Sequence, residues 1–126
     1  MAERLLLDSD VLIEYLRGRK EAVGYLEGIT SDLYVSVISV AELFAGVRGN
    51  EEEESLTQFL LAFTVLPVTE KVACLGGIYR RDFGPGHGIG LAHALIAATA
   101  EENGAYLVTF NRRHFPMVEI TLPYER

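Results

Sequence analysis

A chain of 126 residues with 49% hydrophobic and 23% charged residues has the length and balance of one globular domain, which disfavours intrinsic disorder. Its apolar runs fall short of the roughly 20 residues that a bilayer span needs, and a lone Cys74 excludes an internal disulfide. The net charge of −7 argues against a nucleic-acid binder held by a broad basic surface, although Glu51 to Glu54 supply more than half of that excess. Met1-Ala2-Glu3-Arg4, followed by three leucines, lacks a secretion-signal pattern, so a cytoplasmic chain is expected. Leu5-Leu6-Leu7 stops at Asp8 and predicts a buried first strand. Ser9 or Asp10 then caps a helix with Val11, Leu12, Tyr15 and Leu16 on one face, closed by Gly18. A short helix follows from Glu21 to Glu27, ended by Gly28.

Leu33-Tyr34-Val35-Ser36-Val37, rich in β-branched and aromatic residues, predicts the second strand. Ser39 opens a helix through Val47, and Asn50 caps another that carries Leu56, Phe59, Leu60 and Phe63. The Glu51–Glu54 run reads as that helix's solvated first turn, where carboxylates complement the dipole. Val65-Leu66-Pro67-Val68 predicts a third strand, and Thr69 starts a helix that reaches Phe83. The glycine-punctuated stretch from Gly84 to Gly90 reads as a loop. It is no phosphate-cradling P-loop, because no Lys-Ser/Thr pair follows. An alanine-rich helix carries His93 and closes at Gly104; strands follow at Tyr106 to Thr109 and near Val118 to Thr121. Strands alternating with helices predict an α/β fold, a three-layer α/β/α sandwich on a mainly parallel sheet, as a single domain over 1–126.

In open α/β sheets, ligands bind outside the carboxyl ends of the strands. That rule selects Asp8 and Asp10 after the first strand, the segment with Glu42 after the second, and Thr109 and Asn111 after the fourth. Each has a plain structural alternative. One residue of Asp8-Ser9-Asp10 suffices as a cap, which leaves the second carboxylate surplus. Ser39 and Glu42 fit a capping box, yet Val40, Leu43, Phe44 and Val47 set Glu42 beside a buried surface. His93 could be a satisfied core histidine; Thr109 and Asn111 could simply form a turn. His87 and His114 read as surface loop histidines. Taken together, carboxylates, an imidazole and an amide at one sheet edge suit a hard divalent cation and phosphodiester hydrolysis. Arg80-Arg81 and Arg112-Arg113 are the candidate local contacts for phosphate in an otherwise acidic chain.

The same residues carry a resemblance. Leu7-Asp8-Ser9-Asp10-Val11-Leu12-Ile13, Ile38-Ser39-Val40-Ala41-Glu42-Leu43 with Gly46, Gly88 through Ala98, and Leu107-Val108-Thr109-Phe110-Asn111 through Phe115 resemble, in order, the four motifs of PIN-domain ribonucleases of the VapC-like toxin type. The resemblance implies a PIN fold and an acidic Mg²⁺ or Mn²⁺ site that hydrolyses RNA to 5′-phosphate ends. It further implies tRNA or another structured RNA as substrate, homodimers, a cognate VapB-like antitoxin and no membrane association. Carried over, Asp8, Glu42 and His93 take the metal positions, Asn111 joins them as catalytic, and Asp10 and Thr109 support. His93 departs from the pattern, which asks for aspartate, and Asn111 stands where a further acid can occur. Imidazole in place of carboxylate favours Mn²⁺ and later transition metals over Mg²⁺.

Two rivals stay open at this point. A catalytically degenerate PIN domain would serve as an antitoxin- or RNA-binding module. A haloacid-dehalogenase-type phosphatase would use Asp8 as nucleophile, but the acidic pair it needs after a late strand is replaced by Phe110-Asn111-Arg112.

Overall fold

The computed structural model describes residues 3–125; Met1, Ala2 and Arg126 lie outside, and with them part of the N-terminal stretch read above for a secretion signal. Five strands, β1 (Arg4–Leu7), β2 (Asp32–Ser36), β3 (Thr64–Leu66), β4 (Tyr106–Val108) and β5 (Ile120–Thr121), form a sheet in the order β3-β2-β1-β4-β5. Every pairing among them is parallel. The intervening helices are α1 (Ser9–Leu16), α2 (Lys20–Glu27), α3 (Val37–Ala45), α4 (Gly49–Leu60), α5 (Glu70–His87) and α6 (Leu91–Glu102). No helix among the described residues is long and apolar enough to cross a membrane.

The three leucines of β1 seed two cores because a strand alternates its faces. Leu5 and Leu7 join Val11, Leu12, Leu26, Leu43, Leu56 and Leu60 from α1 to α4. Leu6 points the other way and packs with Ile96, Ala97 and Ala100 of α6, Leu107 and Phe115. The chain steps outward from β1 to β2 and β3, then returns to place β4 on the other side of β1. Right-handed crossovers in opposite directions put their helices on opposite faces, which gives the expected three layers. The reversal between β1 and β4 opens a crevice at their carboxyl ends.

Several boundaries differ from the sequence reading, each for a local reason. Asp8, not Ser9 or Asp10, caps α1. Ser36 caps α3 by accepting the Ile38 N–H at 3.0 Å, so Val37 leaves the strand and Ser39 lies buried within the helix. The expected Ser39–Glu42 capping box is therefore not formed. Arg48, not Asn50, stands before α4, and its N–H is accepted by Glu52 Oε2 at 3.1 Å. The expected loop from Gly84 onward is mostly helix: α5 runs through Pro85 and ends on Gly88, whose positive φ of 63° suits glycine. Only its N–H bond to the Gly84 carbonyl, at 3.1 Å, then closes the helix.

Gly76 explains how α5 and α6 approach so closely. A Cβ there would stand 2.6 Å from Leu95 Cδ2 and 3.3 Å from Leu95 Cα, whereas one on Gly77 would meet nothing within 4 Å. Gly76→Val is expected to lower stability by about 2 kcal/mol through overpacking. Gly77→Ala should gain up to about 1 kcal/mol from helix propensity. Urea denaturation of the two variants reads the contrast directly.

Candidate active site

Residues that leave the ends of β1 and β4 meet at the reversal. The Asp8 N–H bonds to the Val108 carbonyl at 2.9 Å, so β4 fixes where the Asp8 carboxyl begins. Oδ1 of Asp8 accepts the Ser9 N–H at 2.8 Å, and Oδ2 accepts the Thr109 hydroxyl at 2.8 Å. Thr109 is fully buried, and its Oγ1 accepts the Asn111 N–H at 3.0 Å. The same hydroxyl lies 3.1 Å from Asp10 Oδ2, which also accepts the Phe110 N–H at 3.1 Å. One hydroxyl proton thus sits between two carboxylates. Burial first, then the charges of Asp10 and Glu42, raise the Asp8 carboxyl to about 7, against the lowering pull of its bonds from Thr109 and Ser9.

Glu42 lies on α3, exposed, and its Oε1 accepts the Ser9 hydroxyl at 3.1 Å. His93 sits in the first turn of α6, half-buried, with its ring centre 4.7 Å from that of His114 and the planes 35° apart. Phe115 meets it edge-on at 5.4 Å. Nδ1 of His93 is buried and has no hydrogen-bond partner among the described residues. Burial, and then His114, hold His93 below the ordinary imidazole range, while Glu42 and Asp10 pull it weakly upward. His114 ends a 3₁₀ turn, Arg112–His114, and its Nδ1 lies 2.8 Å from Asn111 Nδ2.

The fold therefore joins Asp8, Asp10 and Thr109 by hydrogen bonds, brings Glu42 in through Ser9, and links Asn111 to His93 through His114. The arginines separate into two groups. Arg112 and Arg113 are exposed on the turn beside His114. Arg80 and Arg81 lie on α5, where Arg80 covers Gly84 and Arg81 pairs with Asp82 at 2.8 Å. His114, which the sequence reading set beside the site as a surface histidine, is half-buried against His93. Its signal was the three-residue spacing from Asn111 directly after a strand, which one helical turn brings together.

The donor chemistry suits a hard divalent cation, because the carboxylate charges that raise Asp8 are what such an ion would neutralise. The set is not preassembled: among the described residues no three His, Cys, Asp or Glu side chains stand close enough to hold a metal.

Comparison with known proteins places this architecture. Residues 5–119 match the family described as PIN domain. The chain belongs to the PIN-domain family. A relative in Mycobacterium tuberculosis, named Ribonuclease VapC10, is 43% identical over 122 residues, covering 94% of this chain and 91% of that protein. Among solved structures, a toxin–antitoxin complex from Klebsiella pneumoniae superposes with a TM-score of 0.84 at 26% identity, covering 97% of this chain and 99% of that one. The structure of FitAB bound to a DNA fragment superposes with a TM-score of 0.81 at 29% identity over 97% of this chain and 96% of its counterpart. Membership in the PIN family leaves no room for the dehalogenase-type reading of Asp8.

Proposed function

We propose that this PIN chain is a divalent-metal-dependent endoribonuclease, the toxin of a toxin–antitoxin pair, acting as a single domain on tRNA or another structured RNA in the cytoplasm. The observation that carries the reading is the convergence of Asp8, Asp10 and Thr109, with Glu42 tethered by Ser9, at the β1–β4 reversal. The ribonuclease name of the 43% identical relative supports the chemistry. Asp8, Glu42 and His93 would hold Mg²⁺ or Mn²⁺, which supplies Lewis acidity to activate water and offset phosphate charge. Thr109 keeps the Asp8 and Asp10 carboxyls apart and aimed, and the Asn111 N–H fixes the Thr109 oxygen. Buried Leu7 and Val108 close the site from behind, so substrate enters from the exposed Glu42 side.

The antitoxin partner is supported by toxin–antitoxin complexes among the structural neighbours. A cleft of about 700 Å³ beside Glu42, lined by Ile13, Leu16 and Leu56 together with Arg17, Arg48 and Glu52, suits an amphipathic protein segment. A second reading, a catalytically silent PIN scaffold, is favoured by one observation, the lack of a preassembled three-donor set. Incubating the chain with tRNA in Mg²⁺, Mn²⁺ or EDTA separates them. Cleavage with 5′-phosphate ends in Mn²⁺, weaker in Mg²⁺ and lost in EDTA, is the expected result. Intact RNA in every metal would favour the scaffold.

Arg112 and Arg113 serve substrate binding in this reading. Arg112→Ala/Arg113→Ala is expected to raise KM several-fold and lessen the salt dependence of cleavage, with kcat changed less than about two-fold. Steady-state cleavage at two salt concentrations measures both.

A further inference from the structure

We propose that Tyr124, near the end of the chain, is a positioning residue: its ring braces Phe110 and so holds the Phe110 N–H on the Asp10 carboxylate. The inference rests on the ribonuclease reading for its effect on cleavage alone; the brace itself needs no RNA chemistry.

The turn after β4 touches the carboxylate cluster at three successive residues. Thr109 donates its hydroxyl to Asp8, Phe110 donates its N–H to Asp10, and the Asn111 N–H bonds to Thr109 Oγ1. Asp8 caps α1, so Asp10 has no capping role there, and its Oδ2 is aimed by the Thr109 hydroxyl and the Phe110 N–H. The hydroxyl proton serves one carboxylate at a time, which makes the Phe110 amide the steadier donor to Asp10. A turn outside the sheet is the kind of backbone that opens most easily, so this amide needs support.

The segment from β5 onward supplies it at two points. The Thr121 carbonyl accepts the Thr109 N–H at 3.1 Å, but β5 has two residues and lies at the edge of the sheet. Three residues later, Tyr124 meets Phe110 edge-on, with ring centres 5.0 Å apart and planes at 76°. Aromatic pairs favour this arrangement at about 4.5–7 Å. Tyr124 is backed in turn by Tyr25 of α2, 6.1 Å away at 59°, and its hydroxyl is buried. Both Phe110 and Tyr25 pack against the core that holds Leu5, Leu7 and Val108. Core packing alone would account for three touching rings. The place of Phe110 gives the contact its second role, because a residue whose ring is gripped cannot swing its own N–H away from Asp10. Without the brace, two carboxylates are left to compete for one hydroxyl proton, and Asp10 loses its fixed direction.

Amide hydrogen exchange in metal-free protein, read by NMR, tests the brace, with the Asp8 N–H of the β1–β4 ladder as internal control. In Tyr124→Ala the Phe110 amide is expected to exchange about tenfold faster while the Asp8 amide changes less than about two-fold. In Tyr124→Phe, which keeps the ring, both amides should match the parent. Cleavage by Tyr124→Ala should show kcat lowered about tenfold with KM within about two-fold, restored by Tyr124→Phe. Circular dichroism checks folding, and Tyr124→Leu replaces the alanine variant if that one unfolds. Unchanged Phe110 exchange in the folded variant, or equal acceleration of Phe110 and Asp8, would overturn the proposal. So would a Tyr124→Phe variant as loose as the alanine one, since the hydroxyl and not the ring would then be the hold. A Phe110 amide that depends on the Tyr124 ring, in a chain that cuts no RNA in any metal, supports the brace and overturns the ribonuclease reading instead.

Discussion

Asp8→Asn is expected to abolish metal-dependent RNA cleavage while making the metal-free protein more stable at pH 8. The carboxyl is buried, shares one hydroxyl proton with Asp10, and is raised from 3.8 to about 7. A folded-state value above the unfolded one means that the native protein binds the proton more tightly. Above pH 7 both states are ionised and the full penalty of the buried charge is present. It is relieved as pH falls from 7 towards 4, and below that both states are protonated. Three units correspond to about 4 kcal/mol. Asparagine mimics the protonated acid: its oxygen still accepts from Ser9 N–H and its amide donates to Thr109 Oγ1. Denaturation in EDTA at pH 8 and pH 5 should therefore show a stabilised variant at the higher pH and a smaller difference at the lower. A variant less stable than the parent at pH 8 would remove the electrostatic account of this carboxyl.

His93→Asp should increase Mg²⁺-supported cleavage by tenfold or more. A neutral imidazole contributes no charge to a divalent cation, whereas a carboxylate 4 Å away contributes about 4 kcal/mol per unit charge at an effective dielectric of 20. Even a fraction of that exceeds one order of magnitude in metal occupancy. Cleavage assays of both chains across Mg²⁺ concentrations test this, and equal Mg²⁺ activity would show that position 93 does not limit the site.

Much of the architecture was legible in the sequence because its signals are short-ranged or periodic. Leu5-Leu6-Leu7 ending at an acid, and Leu107-Val108 ending at Thr109, mark two strand ends, and strand ends are where α/β sheets place ligands. Asp8 and Thr109, with Glu42 in the segment after the second strand, thus stand out as candidates from the sequence. The failures arose where one side chain's local contact outvotes the composition around it. Gly84-Pro85-Gly86 looks like a loop, yet α5 continues through it, with the Arg80 side chain lying across the open face of Gly84. Ser36 looked like a strand residue because its neighbours are β-branched, and its hydroxyl instead stops the strand. The approach of His114 to His93 was unreadable for a different reason: the two lie on separate elements, and no local pattern records their meeting.

The bond between Thr109 and Asp8 spans 101 positions of the chain, and β4 enters the sheet beside the first strand made. During synthesis, then, a ribosome that has released everything through α5 has made Asp8, Asp10 and Glu42, with Ser9 to hold Glu42, but not the Thr109 hydroxyl that joins Asp8 to Asp10. The carboxylate cluster closes late, when β4 docks beside β1. A chain stalled midway lacks the Thr109 hydroxyl that completes the cluster, and long-range closure of this kind is slow in folding.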